Sequence, residues 1–498
     1  MSQFSTTLKK FVSKTNTSIQ SLSRTSGVDR SFIHHILTGK RIPADKEVLE
    51  NIMRALTLTP AQADELRHLY FIERIGEKQY SHNMLIKGLL ENLVGFDSYS
   101  PQIPTTYKHD FTDYPAATML TGSININIII KAVLEEESSK EHGFVKLLTQ
   151  PDYKFLMDIL LAIGNSDTNL KIEHTFCLQK DLKDGSDDLY NLTAFQSVLP
   201  LILSCTNYNA YTYYDNIESK FDTTAVFPYL IITSDIIIGV SHNYQYAALY
   251  IDEDFYNAYT NIYENIFRKC SPFAKKVSDP IDYYMQYSTL EQIMSDDRDN
   301  LAFTSSLFPQ PCLVFFLTFE LLNKYTINFP MKNEMIDMML KRSNRYYEKL
   351  TNGYEYTSFF TIEGLDSFWK TGRITEIPEE FYTPIEKEDC LLLLKKLYDT
   401  IEQTSYTACL INTKKLKITE RLVISAISET IIFLLYIHPV KGMFHVALNE
   451  TSISASIFQF LTLLKESEFI YSEEETQKIL LSKIEEFEKE LKELKREA

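Results

Sequence analysis

Chemistry on a bound substrate needs a nucleophile, a base or a set of metal ligands at working distances, and this sequence offers few such groupings. His242 is followed by Asn243 and Tyr244, and His438 is separated from Lys441 by Pro439 and Val440. Neither stretch sets a nucleophile beside a phosphate clamp. His174 falls in a β-branched, aromatic run and reads as a packed or surface histidine rather than a general base. Glu363-Gly364 and Trp369, the only tryptophan, follow a strand-like run. They could line a cavity, although a loop packed by its own aromatics is the commoner arrangement. Six cysteines (Cys177, Cys205, Cys270, Cys312, Cys390, Cys409) include no C-x-x-C and no Cys/His cluster at zinc spacing. They read as buried thiols of a reducing cytoplasm, with no metal and no cofactor expected. H-E-x-x-H, a nucleophile elbow and a glycine-rich phosphate loop are all missing among only 14 glycines. The expectation is a chain that is not an enzyme.

Cations carry the more pointed signal. Residues 1–60 hold nine Lys/Arg against four Asp/Glu, whereas the rest of the chain holds 41 Lys/Arg against 63 Asp/Glu. The overall charge of −17 therefore conceals a basic head on an acidic body. A polyanion would be attracted by the head and repelled by the body.

The elements that position these cations are short helices with clear punctuation. Thr17 or Ser18 can cap a helix running to about Arg24, with Ile19 and Leu22 inward. Gly27 supplies a tight turn, and Asp29 can cap a second helix over 29–37 with Phe32, Ile33 and Ile36 at apolar spacing. Gly39 ends it and Pro43 prevents its continuation. Val48, Leu49, Ile52, Met53 and Leu56 give the next helix its buried stripe, and residues 60–69 give another.

Two short helices joined by a glycine turn in a compact basic helical domain form a helix-turn-helix. Leu22, Ser26-Gly27-Val28, Ile33, Ile36, Gly39-Lys40-Arg41 and Pro43 together resemble the lambda-repressor/Cro (XRE) family of DNA-binding domains. The resemblance covers the head alone. It implies that 29–37 is a recognition helix in the major groove of double-stranded DNA, opened by Asp29. Arg30, Ser31 and His35 then fall on base-reading positions, with His34 beside them. The planar fork of Arg30 suits guanine O6 and N7; a phosphate contact or a solvated charge is its plainer role, as a polar helix face is for His34 and His35. Lys40 and Arg41 would contact phosphates and set register, and Ser18 could donate to the same backbone. The sequence departs from the family where Ser23 replaces a common Ala. It departs again where Val12 and Leu37 occupy the positions of a common Arg–Glu pair.

A length of 498 residues allows roughly three domains, and 44% hydrophobic with 23% charged residues is the balance of a globular chain. After a head over 1–72, a helical connector over 73–104 carries an amphipathic stripe of Met84, Leu85, Leu89, Leu90 and Leu93. Strand-like runs then follow at 172–178, 210–214, 229–240 and 246–251, with helical patterns at 189–199 and 254–269. A similar order returns: strand 358–362, helix 387–403, strand 407–411, one long or two short strands over 422–437, strand 444–448 and helix 452–465. We read two weakly similar α/β halves, 105–290 and 300–470.

This order of elements distantly resembles the phospholipase-D-like fold, whose signature is a His and a Lys two residues apart in each half. Neither His242 nor His438 has that partner. A charged helix over 473–498 spaces Leu480, Ile484, Phe487, Leu491 and Leu494 for docking on the body or for pairing in a dimer. No apolar run reaches the ~20 residues of a membrane span, and the N-terminus lacks the apolar core of a signal peptide. The expected fold is thus an all-α helix-turn-helix head followed by an α/β body of two halves. The expected function is sequence-specific transcriptional regulation in the cytoplasm, as a homodimer, with a small-molecule or peptide effector. A peptide-pheromone receptor with a helical-repeat body, an antitoxin-like interaction protein and an enzyme with a DNA-binding head are the alternatives.

Overall fold

The structure is a computed structural model and describes residues 2–98, 110–111, 114–166, 169–180, 189–215, 226–277, 279, 282 and 303–497. Pro101, Pro104 and the expected break between the halves at 290–300 lie outside these residues. The chain opens with five helices: α1 (Gln3–Lys14), α2 (Ile19–Ser26), α3 (Arg30–Leu37), α4 (Lys46–Ala55) and α5 (Pro60–Ile75). Each begins at a side-chain cap, from Ser2, Ser18, Asp29, Asp45 and Thr59 in turn. Such a cap satisfies amides that the first helical turn leaves without partners. Phe4, Leu8, Leu22, Ile33, Ile36, Leu49, Ile52 and Leu66 close a core separate from the body's. Val12 and Leu37 are both buried in it.

Helix α6 (Glu77–Asn92), followed by a 3₁₀ turn at Leu93–Ser98, leads into the body. Its stripe is consumed there: Ile86, Leu89, Leu90 and Leu93 are buried, with Met84 and Leu85 packed alongside.

The body is two mixed sheets. The first contains β1 (Ala117–Thr121), β2 (Phe144–Leu148), β3 (Lys171–Gln179), β4 (Tyr208–Asp215), β5 (Tyr229–Ile232), β6 (Ile237–Val240), β7 (Tyr246–Tyr250) and β8 (Ser271–Pro272), in the order β1-β7-β6-β5-β2-β3-β4-β8. The second contains β9 (Ala274–Val277), β10 (Phe303–Leu307), β11 (Glu355–Phe360), β12 (Tyr406–Leu410), β13 (Leu422–Ser428), β14 (Ile431–His438) and β15 (Gly442–Leu448). Its order, β9-β15-β14-β13-β10-β11-β12, repeats that of the first seven strands of the first sheet, with no counterpart to β8 among the described residues. The directions repeat too. Three parallel strands (β2-β3-β4, β10-β11-β12) are flanked by an antiparallel run that ends in β1 or β9. The body is therefore a duplicated α/β unit, and the helical-repeat alternative is set aside. The run over 422–437 is two strands. The run over 358–362 ends as a strand at Phe360, because Ile362 already opens a helix that the side chain of Thr361 caps. Strand β9 falls within 105–290 yet pairs in the second sheet, a switch made across Phe273 between the short β8 and β9.

Parallel strands need crossovers. In the first half these are α7 (Ser123–Ser138), α8 (Lys154–Asn165) and α9 (Tyr190–Ser204), and the half closes with α10 (Glu253–Phe267). In the second they are α11 (Phe319–Tyr325), α12 (Lys332–Thr351), α13 (Ile362–Thr371) and α14 (Lys387–Gln403), and α15 (Thr451–Leu464) closes it. Helices α6, α7, α8, α9 and α15 share one core between the sheets. Helix α10 covers the outer face of the first sheet, and α11 to α14 cover the outer face of the second. The halves thus meet through unlike faces, crossovers of one against the closing helix of the other.

The final helix α16 (Glu473–Glu497) docks on this outer layer. Leu480, Ile484 and Phe487 are buried, the Trp369 and Phe487 rings stack 4.6 Å apart, and Trp369 Nε1 donates to Glu490 at 2.8 Å. Among its expected stripe only Leu494 is exposed, so most of that stripe is spent on docking to the body. Among the described residues no helix is long and apolar enough to cross a membrane.

Candidate nucleic-acid interface

The α2–turn–α3 unit is held by local bonds. The Ser18 hydroxyl accepts from the Ser21 amide at 3.1 Å and so caps α2. Gly27 takes φ 71°, a left-handed conformation that favours glycine. Ser23 Oγ donates to the Val28 carbonyl at 2.7 Å, bracing the turn that follows. Asp29 then caps α3, accepting from the amides of Ser31 (2.8 Å) and Phe32 (3.1 Å) and from the Ser31 hydroxyl (2.6 Å). The Ser31 hydroxyl and these amides hold the Asp29 carboxyl below the usual carboxylate range. It stands as a negative charge at the positive end of the helix dipole.

Helix α3 buries Ile33, Ile36 and Leu37. Arg30, Ser31 and His34 are exposed and His35 is half-buried. The pairs 30/34 and 31/35, four residues apart, form adjacent rows on one surface. Beyond the helix, the amides of Lys40 and Arg41 both donate to the His35 carbonyl, at 2.9 and 3.3 Å. The Arg41 guanidinium lies 6.0 Å from the centre of the Phe32 ring. Both cations are exposed, and these bonds fix them just beyond the C-terminal end of α3. The eight candidates Ser18, Asp29, Arg30, Ser31, His34, His35, Lys40 and Arg41 thus fall within one supersecondary unit. Of these, Ser31 already has its hydroxyl proton on Asp29.

The head meets the body elsewhere. Lys46, at the start of α4, donates to the carbonyls of Ser467 (2.8 Å) and Ile470 (3.2 Å), in the segment between α15 and α16. Burial there lowers its pKa. Arg74 pairs with Glu466 at 2.7 Å, and Lys415 bridges Asp64 (3.1 Å) and Glu468 (2.7 Å). The seam leaves the α2–α3 surface uncovered among the described residues. One of the nine head cations, Lys46, is committed to the body rather than available to a polyanion. Its partners lie more than four hundred residues away, so no local pattern could have marked it.

The body's candidates are structural. His174 is fully buried, with Nδ1 2.7 Å from the Tyr208 hydroxyl and Nε2 3.0 Å from the Thr149 carbonyl. Burial pushes its pKa down to about 4, so it is neutral at physiological pH. His242 lies in the β6–β7 turn, 3.4 Å from the Tyr229 hydroxyl. His438 Nδ1 accepts from the amides of Val440 and Lys441, both at 3.1 Å. Lys441 turns to the opposite half and donates to the Ser204 carbonyl at 2.8 Å. Glu363 and Gly364 lie in α13, not in a loop. A Cβ on Gly364 would stand 1.7 Å from the Pro309 carbonyl oxygen, so close packing requires glycine. Among the described residues no cluster of His, Cys, Asp or Glu could hold a metal. An open groove of about 760 Å³ lies on the outer layer of the second half, with Phe316 and Phe319 at one side, Leu340 and Tyr347 of α12 and Lys396 and Asp399 of α14 at the others.

One repeated signal passed unread. Gln150-Pro151 follows β2 and Gln310-Pro311 follows β10. Gln150 Oε1 accepts from the Tyr190 hydroxyl (3.1 Å) and the Cys177 amide (3.3 Å), while Gln310 Oε1 accepts from the Thr375 amide (3.1 Å). The dipeptide marks equivalent corners of the two halves.

No protein-family model matches the chain, and no curated protein does. Among solved structures it is similar to TrmBL2, an archaeal chromatin protein described as showing a novel mode of DNA binding, at 13% identity and TM-score 0.20 over 43% of this chain and 72% of that one. It is similar to polyphosphate kinase from Porphyromonas gingivalis at 9% identity and TM-score 0.23 over 78% of this chain and 59% of that one. Phosphatidylserine synthase from Haemophilus influenzae Rd KW20 gives 9% identity and TM-score 0.23 over 75% of this chain and 94% of that one. Likenesses at these TM-scores carry no argument about fold or activity.

Proposed function

We propose that this chain is a sequence-specific DNA-binding regulator of transcription. Its head would read a site in the major groove, and its duplicated body would serve as scaffold and sensor rather than as an enzyme. The observation that carries this reading is the exposed surface of α3 with Lys40 and Arg41 behind it, left clear by a head–body seam built from α4 and α5. In this reading Arg30 contacts a base, His34 and His35 lie along the same groove, and Lys40 and Arg41 neutralise phosphates. The groove between α12 and α14 is where an effector would sit.

The test is equilibrium binding to an operator found by genome-wide mapping of bound DNA, with a random duplex as reference. Arg30→Ala should cost about 1–3 kcal/mol on the operator and relax preference at one base pair. Lys40→Ala should weaken both duplexes alike and flatten the salt dependence. Equal losses on both duplexes for Arg30→Ala would remove its base-reading role. Turnover of a phosphodiester by the purified chain, lost on replacing His242 or His438, would overturn the non-enzymatic body.

A further inference from the structure

Helices α10 and α15 close equivalent halves but are buried very differently. Helix α15 buries Ile453, Ile457, Phe460, Leu461 and Leu464 because it lies between the second sheet and the first half. Helix α10 buries only Tyr263. Exposed Asn257, Asn261 and Asn265 lie opposite Tyr263, and the flank nearer β7 carries Phe255 and Ile262, 41% and 49% exposed and two helical turns apart, with exposed Ala258 beside them. The apolar surface continues onto the sheet margin, where Met119 of β1 and Tyr246 of β7 are 61% and 51% exposed. Register places Met119 opposite Ala248 and Thr121 opposite Tyr246, on the face where the Tyr250 ring meets Phe255 at 4.9 Å. Among the described residues nothing covers this surface.

The charges around the stripe say what would. Asp252, Glu253 and Asp254 stand at the N-terminal end of α10, and Arg268 and Lys269 follow its C-terminal end. We propose that α10 forms a two-fold interface with a second copy of this chain, α10 packed antiparallel on α10. Crossing between Ala258 and Ile262, the acids of each helix meet Arg268 and Lys269 of the second copy. The apolar stripe is buried in the same contact. A parallel contact would bring like charges together at both ends. On a chain of net charge −17, a contact that sets acids against Arg268 and Lys269 offsets the repulsion between two copies. The interface gives the regulator reading two heads on one operator, and it rests on that reading for its purpose only.

Analytical ultracentrifugation of the full chain at low salt tests it. The wild-type chain should sediment as a dimer. Glu253→Lys with Asp254→Lys, or separately Arg268→Glu with Lys269→Glu, should weaken self-association at least tenfold while far-UV circular dichroism and melting stay unchanged. Mixing the two reversed variants should restore a dimer, now mixed, because the reversed N-terminal end of one then faces the reversed C-terminal end of the other. A monomeric wild-type chain, or a dimer indifferent to both reversals, would overturn the interface. A monomer that still binds DNA sinks only the interface, whereas a dimer that binds no DNA sinks only the regulator reading.

Discussion

At the scale of single residues, Asp29 holds two opposed roles. Its carboxylate caps α3 through the amides of Ser31 and Phe32, yet it sets a negative charge where the proposed reading brings DNA phosphates. Asp29→Asn keeps an acceptor and removes the charge. It should lower the melting temperature of the head slightly at neutral pH and tighten binding to operator and random duplexes alike, as read by fluorescence anisotropy at two salt concentrations. Asp29→Ala removes the cap as well and should lower both melting temperature and affinity. If the two variants behave identically, the charge has no part in binding. The pH dependence follows from the lowered pKa. The carboxylate's contribution to stability is present above its ordinary pKa and is lost as pH falls through the lower folded value, so Asp29→Asn should shorten the acid limb of the stability curve. Sequence alone marks Asp29 as a cap because its signal is three residues long. It could not show the Ser31 hydroxyl turned onto that carboxylate. Nor could it show the partners of His174, since Thr149 and Tyr208 are joined to it only by the pairing of β2, β3 and β4.

At the scale of elements, legibility follows locality. Helices α2 to α5 are punctuated by caps, by Gly27 and by Pro43, all within one or two turns of what they control. Helix α14 over Lys387–Gln403 is readable from its apolar spacing. The crossover helices α7, α8 and α12 lack such local punctuation, and the strand order is not legible, because parallel pairing is settled by contacts made across whole helices. The head–body seam is the extreme case. Lys46 is an ordinary surface lysine by sequence, but in the fold its ammonium is the donor that ties α4 to 467–470. Lys46→Ala should weaken docking of the head by about 1–3 kcal/mol, the range for hydrogen bonds to a charged group less the cost of burying it. Amide exchange across 465–471 should then quicken while the affinity of one head for DNA stays the same. Unchanged exchange would mean that the two ion pairs of Arg74 and Lys415 hold the seam without it.

At the scale of the whole molecule, two halves were legible from the returning order of elements, whereas the way they stack was not. Repetition in a sequence is silent on which faces meet. Here crossover helices of the first half meet the closing helix of the second, and the carbonyl ends of α8 and α9 are directed at the second half. Two lysines receive them: Lys441 donates to Gly164 of α8 and Ser204 of α9, and Lys276 of β9 donates to Cys205 at the end of α9. Cations at helix C-termini also complement the helix dipole. Lys276 is the more deeply placed, and burial pushes its pKa down from 10.5 to about 8. A folded-state pKa below the unfolded one means that, between about pH 8 and 10.5, the unfolded chain binds a proton that the folded chain has released. Stability must therefore rise with pH across that window, by up to about 3 kcal/mol if Lys276 acted alone. Buried tyrosines such as Tyr208, whose pKa is raised, act in the opposite sense only at higher pH, because their stabilisation is lost above the unfolded tyrosine value of about 10. Urea unfolding of wild type and Lys276→Met at intervals from about pH 7 to pH 9.5 separates the two effects. The wild-type midpoint should climb relative to the variant above pH 8, whereas parallel curves would show that the ammonium at this seam remains solvated.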